Sequence, residues 1–336
     1  MPTESSSILL LKAHEISALL KEKEHEVIRI VKAAYLAQAA GASSLPQSTF
    51  LRFPNDDLNR IIALPAYLGG DFDIAGIKWI SSFPGNHELG LDRASAVIVT
   101  NSTRTGRPQS ILEGATISAK RTAASAALAA TYLCRSEPAG AVGIIGCGLI
   151  NFEIVRFLKA VFPGIDRLVV FDSLPDQARR FRERCQKSFS PLKVTIADDG
   201  QQVLRDCPLI SLATTAVKPH LFDVSPCIPG TTILHVSLRD LSPEIILSSD
   251  NVVDDIDHVC RANTSVHLAE QAVANRNFIR CTLADIVNGL ATASNHDHPL
   301  TIFSPFGLGV LDLAVSAYVQ EEARKQGAGM VIESFF

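Results

Sequence analysis

A glycine turn between two apolar runs is the first feature of this chain whose residue types could do chemistry. Residues 141–158, AVGIIGCGLINFEIVRFL, have the pattern of a strand, a tight turn at 146–148 and a helix. The first glycine permits the turn, and the second lets a pyrophosphate reach the free amides of the helix N-terminus. Asn151 stands where a third glycine or alanine is usual, so we expect relaxed packing between helix and strand there. The predicted dinucleotide contacts in this turn are Gly146, Gly148, Leu149 and Ile150.

An acidic residue follows the turn at the spacing of a ribose ligand. The next apolar run, RLVVFD, ends in Asp172, and a carboxylate about 20 residues after such a turn commonly binds ribose hydroxyls. Because an acid there repels a 2′-phosphate, NAD is favoured over NADP. The alternative is that Asp172 only caps the next helix. Thr214 and Thr215, after the run LISLAT, are predicted to line the ribose or the phosphates.

Five cationic residues in the first 121 positions could bind carboxylates: Arg52, Arg60, Lys78, Arg93 and Arg121. Lys78 interrupts an apolar strand, GIKWI, and Arg121 opens an alanine-rich helix; a charge in such surroundings is costly unless it is paired or used. Guanidinium groups grip carboxylates in a bidentate manner, so several of them suit a substrate with several carboxylates. The alternative for Arg60 and Arg93 is surface exposure or pairing with nearby acids, namely Glu113, Asp92 and Asp56.

Three residues are candidates for proton transfer. Lys78 could accept a proton if burial lowers its pKa, or it could serve as a permanent carboxylate clamp. His235, at the end of the run TTILHVS, is either a proton carrier or a packed histidine, and Asp240 is a further proton carrier. His296 and His298 resemble a metal-binding pair but lack a third ligand, so a solvated loop and no metal is the prediction.

The elements that must position these residues fall into two groups. Residues 60–100 hold short β-rich runs typical of an antiparallel or mixed sheet, and residues 118–133 should be helical. From Ala141 strands alternate with helices, which predicts a Rossmann-type, doubly wound parallel sheet and an α/β fold. The predicted strands are VGIIG, RLVVFD, KVTIAD, LISLAT, TTILHVS and NVVDD. We therefore expect an NAD-binding domain over 135–300 and a second, α+β substrate domain over 1–134 and 301–336, where the tail forms an amphipathic helix.

Composition excludes several partners. The 336 residues carry a net charge of −4 with no basic block, so we expect no nucleic-acid partner. The apolar runs are far shorter than the roughly 20 residues of a membrane helix, and the N-terminus lacks the pattern of a signal peptide. The seven cysteines are scattered without a CxxC pair, which is typical of reduced thiols in a cytoplasmic protein.

Four segments together resemble the ornithine cyclodeaminase/μ-crystallin family: GIKW, TGRPQSILEGATISAKRTAASAALAA, GCGLI and SPFGLGVLDLA. The resemblance spans nearly the whole chain. It implies that Lys78 and Arg121 lie in the substrate pocket and that NAD(H) occupies the glycine turn. It also implies that Gly307 and Asp312 approach the nicotinamide, and that two copies form a homodimer through the sheet of the first domain.

The segment HVSLRDLSPEI separates branches of that family. When Ser237, a predicted cofactor contact, and Glu244 are matched to the family pattern, Leu238 replaces the aspartate that assists cyclisation in cyclodeaminases. The segments DRASAVIVTN, LNRIIALPAYLGG and VSLRDLSPEI are similar to another branch, the dehydrogenases of N-(2-amino-2-carboxyethyl)-L-glutamate. That resemblance implies oxidation of a tricarboxylate amino acid by NAD+ to 2-oxoglutarate and L-2,3-diaminopropionate, which would supply a siderophore or antibiotic pathway. Arg52, Arg93 and Arg121, with Arg60 in reserve, would bind its carboxylates. A cyclodeaminase, an imine or ketimine reductase and a non-catalytic binding protein remain alternatives.

Overall fold

The computed structural model describes residues 6–135, 141–293, 295 and 297–336. The chain divides into two compact units, Met1–Arg121 with Leu308–Phe336, and Thr122–Gly307. The predicted domain boundaries are 134/135 and 300/301, whereas the structural division falls at 121/122 and 307/308. The second limit lies later because a strand that begins at Leu300 belongs to the parallel sheet.

Strands and helices are numbered separately in chain order. The strands are β1 (Ile8–Leu11), β2 (Ser43–Ser44), β3 (Thr49–Phe53), β4 (Asp56–Leu68), β5 (Ile74–Ser82), β6 (Ala94–Asn101), β7 (Pro108–Glu113), β8 (Ala141–Ile145), β9 (Arg167–Phe171), β10 (Lys193–Ile196), β11 (Leu209–Leu212), β12 (Thr231–His235), β13 (Asp250–Val253), β14 (Ile279–Thr282), β15 (Leu300–Ser304) and β16 (Met330–Ile332). The helices are α1 (Ala13–Leu19), α2 (Glu24–Ala39), α3 (Gly114–Leu133), α4 (Leu149–Val161), α5 (Pro175–Ser188), α6 (Gly200–Asp206), α7 (Pro243–Leu247), α8 (Ile256–Val259), α9 (Ser265–Val273), α10 (Leu283–Val287) and α11 (Gly309–Gln326).

The first unit is built on a mixed sheet of order β16-β1-β7-β6-β5-β4-β2, with β3 added beside β4. Its central strands β4 to β7 pair antiparallel, as the short β-rich runs predicted. The register aligns Lys78 with Leu64 and Ile98, so these three side chains share one face of the sheet. Helix α11 packs against this face and begins at Gly309. The absence of a side chain at Gly309 allows the close approach, because a Cβ there would lie 3.2 Å from that of Ala66.

The second unit is a parallel sheet of order β10-β9-β8-β11-β12-β15-β13-β14. The six predicted strands coincide with β8 to β13, which confirms the α/β, doubly wound fold class. Because β9 and β11 flank β8 on opposite sides, the direction of winding reverses between β8 and β11. Ligands of such sheets bind outside the carboxyl ends of the strands at this switch point.

Two strands and the character of the last helix were not predicted. Strand β14 is only four residues long, and β15 runs directly into SPFG, so that its apolar run merges with the tail. Helix α11 is buried from Gly309 to Ser316 on every side, whereas the sequence predicted an amphipathic helix. Continuous burial of its first two turns requires any charge there to be paired.

The seven cysteines are free thiols, and burial raises the pKa of each, Cys134 to about 11 for example. In the part of the chain that the structure describes, no helix combines the length and apolar character that a membrane span needs.

Candidate active site

A buried lysine, arginine and aspartate meet on the inner face of the first unit's sheet. Lys78 Nζ lies 2.7 Å from Asp312 Oδ2, and Arg121 Nε lies 3.0 Å from Asp312 Oδ1. The hydroxyl of Ser118 joins the two cations, at 3.1 Å from Lys78 Nζ and 3.3 Å from Arg121 Nη2. Lys78, Arg121 and Asp312 are 3%, 7% and 0% exposed. Strand β5 and helices α3 and α11 therefore hold two positive charges around one carboxylate, and this group leaves one net positive charge.

The ionisation of this group favours proton transfer by the lysine. Burial and the positive charge of Arg121 lower the pKa of Lys78 to about 8, although the charge and hydrogen bond of Asp312 oppose them. Burial alone would raise the pKa of Asp312, but Arg121 and Lys78 together hold it below its ordinary value. Lys78 is thus neutral in an appreciable fraction of molecules near neutral pH, as an amine that accepts protons must be. Asp312, predicted as a cofactor contact, has Lys78 and Arg121 as its partners.

Three further arginines lie on the same sheet face. Arg60 pairs in register with Arg52 on β3 and with Ser82 on β5, and Arg93 Nη1 donates to Ser82 Oγ at 3.0 Å. Ser82 lies four residues after Lys78 in β5, so both side chains point to the same face, about 13 Å apart along the strand. We call Arg52, Arg60 and Arg93 the arginine trio. The structure thus brings the trio together at one end of β3, β4 and β5, with Lys78 further along the same face.

The charges of the arginine trio act on one another. Burial and the charge of Arg52 lower the pKa of Arg60, and loss of hydration and the charge of Arg60 lower that of Arg93. Among the side chains that the structure describes, none of the three forms an ion pair with a carboxylate, and Arg52 lies over the Phe50 ring. Three guanidinium groups at close range create a site that favours an anion.

Two of the three acids expected to neutralise these arginines, Glu113 and Asp56, are engaged elsewhere. Glu113 accepts hydrogen bonds from the backbone of Ala115 and Thr116 at the start of α3. Asp56, at the start of β4, accepts from the amides of Leu58 and Asn59 and from the Asn59 side chain. Arg52 and Arg93 are exposed and Arg60 is half-buried, so the surface exposure expected as one alternative is observed for Arg93, and the arginine trio is open to an anion from solvent.

The glycine turn has the geometry that a dinucleotide requires. Gly146 has a φ of +91°, and a Cβ there would lie 2.5 Å from the Ala213 carbonyl oxygen, so only glycine fits. A Cβ on Gly148 would meet nothing within 4 Å, and no side chain caps the helix that follows. Gly148 and Leu149 are exposed and Ile150 is half-buried, so the amides at the start of α4 open to the space where a pyrophosphate binds. These residues fit NAD.

Asp172 lies beside this turn as predicted, and its carboxylate also stabilises the turn through hydrogen bonds to the backbone. Its Oδ2 accepts from the Cys147 amide at 2.7 Å and its Oδ1 from the Leu174 amide at 2.9 Å. The N-cap position of α5 is Leu174 and not Asp172, so the simple helix-cap alternative is wrong. Each carboxylate oxygen keeps a free lone pair, which leaves the group able to accept from a ribose hydroxyl.

Asn151 is a structural substitute for the missing third glycine. It is fully buried, and its Nδ2 donates to the carbonyl oxygens of Ile145 at 3.0 Å and Gly146 at 2.7 Å. Its Oδ1 accepts from Ser211 Oγ at 2.7 Å. The expectation of relaxed packing is wrong, because the amide fills the space between α4, β8 and β11 and satisfies three polar groups.

The predicted proton carriers Asp240 and His235 are both fully buried in the second unit. The Asp240 carboxylate accepts hydrogen bonds from the hydroxyls of Thr214 and Ser237. It also accepts one from the ring of His220, whose Nε2 lies 3.0 Å from Oδ1. Burial alone would raise the pKa of Asp240, but the interactions of its carboxylate with His220, His235 and Ser237 hold that pKa well below its ordinary range. A buried carboxylate that stays ionised is a poor base, so the structure favours a supporting role for Asp240. His235 Nε2 lies 3.2 Å from both the Asp240 amide nitrogen and Asp240 Oδ2, and its complete burial favours the packed histidine of the two alternatives.

The remaining predicted contacts occupy the carboxyl edge of the same sheet. Thr214 and Ser237 turn their hydroxyls inward to Asp240, and Thr215 is exposed. Gly307 has a φ of +91°, and its amide donates to the buried Asp254 at 2.7 Å. His296 lies outside the described residues, and His298 binds the Ser248 carbonyl oxygen at 3.1 Å. The residues that the structure describes contain no group of side chains that could hold a metal ion.

Sequence reasoning missed three residues of these sites: Ser82, Ser118 and His220. The position of Ser82 opposite Arg60 depends on strand register, which no local pattern specifies. The pairing of Lys78 and Arg121 with Asp312 had a usable signal, since a lone acid in the apolar start of α11 requires a cationic partner.

Known proteins resemble the chain along most of its length. An N-((2S)-2-amino-2-carboxyethyl)-L-glutamate dehydrogenase of Staphylococcus aureus is 26% identical over 280 residues, 82% of this chain and 83% of that protein. A Δ1-pyrroline-2-carboxylate reductase of Thermococcus litoralis, solved with NADH and L-proline, is 27% identical with a TM-score of 0.88 over 96% of this chain and 99% of that one. An archaeal alanine dehydrogenase dimer with bound NAD is also 27% identical, with a TM-score of 0.86 over 98% and 100% of the two chains. Residues 7–327 match the sequence profile of one family, and the chain belongs to the ornithine cyclodeaminase/mu-crystallin family.

Proposed function

We propose that this protein uses NAD+ to oxidise N-(2-amino-2-carboxyethyl)-L-glutamate, a tricarboxylate with a secondary amine. The chain is an NAD-dependent oxidoreductase that acts on a CH–NH bond, the chemistry for which its relatives are named dehydrogenases and reductases. Those relatives differ in substrate at similar identity. The choice among substrates therefore rests on this chain's own side chains.

The arginine trio is the observation that carries the proposed substrate. L-Alanine or a pyrroline-2-carboxylate has one carboxylate, which Arg121 and Lys78 suffice to bind. Neither compound has a group for three further guanidiniums that share the sheet face of Lys78 and lack acidic partners among the described residues. A substrate with three carboxylates supplies the missing negative charges.

The reaction balances with one NAD+ and one water. A hydride leaves the glutamate α-carbon for NAD+, the secondary amine loses its proton, and a carbon–nitrogen double bond forms. Water then adds to that carbon, and cleavage of the carbon–nitrogen bond releases 2-oxoglutarate and L-2,3-diaminopropionate together with NADH and one proton. NAD supplies only the acceptor for the hydride.

Residues of the first unit supply the remaining chemistry. We assign to Arg121 the carboxylate next to the reacting carbon and to the arginine trio the distal carboxylates. Neutral Lys78 accepts the proton of the secondary amine or of the attacking water, with its pKa of about 8 set by burial and by Arg121. Asp312 orients both cations through its two oxygens.

A substrate panel tests the proposal. Initial rates of NADH formation are measured with the synthetic tricarboxylate, L-alanine, L-proline and L-ornithine, and products are identified by mass spectrometry. We expect kcat/KM for the tricarboxylate to exceed the others by about 100-fold, since each additional ionic hydrogen bond contributes a factor of about 10 or more. Comparable or higher kcat/KM with L-alanine or L-proline would overturn the proposed substrate.

Variants of the arginine trio tie the preference to the structure. Arg60→Met and Arg93→Met should each raise KM for the tricarboxylate by about 10-fold and leave NADH binding unchanged. Arg29→Met is the matched control, because Arg29 pairs with Glu26 on the exposed side of α2. An equal effect of the control and the trio variants would show that the loss is nonspecific.

We further propose that the protein works as a cytoplasmic homodimer. The sheet face opposite Lys78 carries exposed Leu51, Tyr67 and Trp79, which are 45%, 38% and 41% accessible. Trp79 pairs in register with Ala63 and Val97, so the apolar side chains are contiguous across three strands. A contiguous apolar face of this kind is typical of an interface between subunits.

A further inference from the structure

Asp240 holds together two loops at the carboxyl edge of the parallel sheet. Thr214, after β11, and Ser237, after β12, direct their hydroxyls to its two carboxylate oxygens. The backbone carbonyl oxygen of Asp240 accepts from the amides of His220 and Leu221, both at 2.9 Å. The side chain and backbone of one residue thus fix both ends of the segment 214–221.

That segment begins directly against the glycine turn. The Cβ that Gly146 lacks would lie 3.1 Å from the Thr214 amide nitrogen and 2.5 Å from the Ala213 carbonyl oxygen. The Ala213 amide also donates to the carbonyl oxygen of Ile145, the last residue of β8. A displacement of Thr214 would therefore change the wall of the switch point where the dinucleotide binds.

His220 completes the support from the surface. Its Nε2 lies 3.0 Å from Asp240 Oδ1, the same oxygen that Thr214 contacts, and its side chain is 44% exposed while Asp240 is fully buried. An ionised carboxylate only accepts hydrogen bonds, so the His220 ring is the donor. Substitution of this exposed ring removes one bond to Asp240 and leaves the packed core in place.

We propose that His220 and Asp240 are positioning residues for NAD. They hold the backbone of Thr214 against the glycine turn and thereby set the affinity of the second unit for the dinucleotide. Neither residue takes part in the proton transfer assigned to Lys78. The inference concerns NAD alone and is independent of which amino acid is oxidised.

Titration of NADH, followed by its fluorescence on the full-length protein, tests the inference without turnover. His220→Ala should raise the Kd for NADH by about 10-fold, the effect of losing one hydrogen bond to a charged group. His220→Gln, whose amide nitrogen reaches the position of Nε2, should restore most of the affinity. The KM for the amino-acid substrate and the thermal midpoint should stay at the wild-type values.

His298→Ala is the matched control, since His298 precedes β15 at the amino edge of the same sheet and binds the Ser248 carbonyl oxygen. An unchanged Kd in His220→Ala, or an equal increase in His298→Ala, would overturn the proposal. Thr214→Val provides a second test that avoids the core carboxylate. If both residues act through Asp240, His220→Ala should weaken NADH binding less in the Thr214→Val background than in the wild type, whereas additive effects would contradict a shared route.

Discussion

The pH dependence of turnover should follow the ionisation of Lys78, and replacement of Asp312 should shift it to lower pH. A base must be neutral, so kcat/KM should rise with pH and level off above the pKa of Lys78, which burial and Arg121 lower from 10.5 to about 8. At pH 7 a pKa of about 8 leaves roughly one lysine in ten neutral, about 300-fold more than a pKa of 10.5 would. The lowered pKa is thus a large part of the catalytic capacity of this residue.

Asp312→Asn removes the negative charge that raises the pKa of Lys78, while an amide still fits between the two cations. Loss of an opposite charge at this range lowers the pKa of a lysine by about 1–3 units. Arg121→Gln removes a positive charge and should shift the pKa of Lys78 in the opposite direction, whatever it does to substrate binding.

The assay is kcat/KM for the tricarboxylate from about pH 6 to 10 at saturating NAD+, with substrate deuterated at the glutamate α-carbon to verify that hydride transfer limits the rate. The substrate amine titrates identically in every variant, so differences between the profiles isolate the enzyme group. A midpoint that stays constant or rises in Asp312→Asn would refute the assignment of Lys78 as the base and favour its role as a permanent carboxylate clamp.

Three further perturbations address other parts of the molecule. Lys78→Met should lower kcat/KM by about 10²–10⁴-fold, the usual contribution of a general base, with the Kd for NADH unchanged in a fluorescence titration; undiminished turnover would contradict the role. Asn151→Gly, although it restores the usual glycine, should lower the free energy of unfolding by about 1–3 kcal/mol in urea because Ser211 and two carbonyl groups lose a buried partner. Trp79→Glu should convert the dimer to a monomer in sedimentation velocity, whereas Leu290→Glu, at a residue 78% exposed in the second unit, should leave the dimer intact.

Local patterns were sufficient to predict the cofactor unit. Each strand from β8 to β13 is a short apolar run bounded by polar or helical sequence, and the glycine turn follows the first of them. Asp172 could be placed because its spacing from the turn reflects one strand–helix–strand unit. Strand β15 was missed since its identity depends on insertion between β12 and β13, a long-range pairing without a local signal.

The substrate side was predictable in residue type and not in arrangement. An isolated charge in an apolar strand identified Lys78, and the burial of Arg121 follows from the same reasoning. The grouping of Arg52, Arg60 and Arg93 around Ser82 requires the exact register of three strands. The surroundings of Asp240 and His235 could not be predicted, because a sequence shows that an acid and a histidine are near each other along the chain, but not that hydroxyl and ring donors enclose the acid.

An isotope at the glutamate α-carbon follows the transferred hydride itself. N-(2-amino-2-carboxyethyl)-L-glutamate deuterated only at the glutamate α-carbon is incubated with the enzyme and NAD+, and the cofactor and products are analysed by mass spectrometry. We expect NADH that carries the deuterium, with equimolar unlabelled 2-oxoglutarate and unlabelled L-2,3-diaminopropionate. Unlabelled NADH, or no reduction of NAD+ with this substrate, would contradict the proposed reaction.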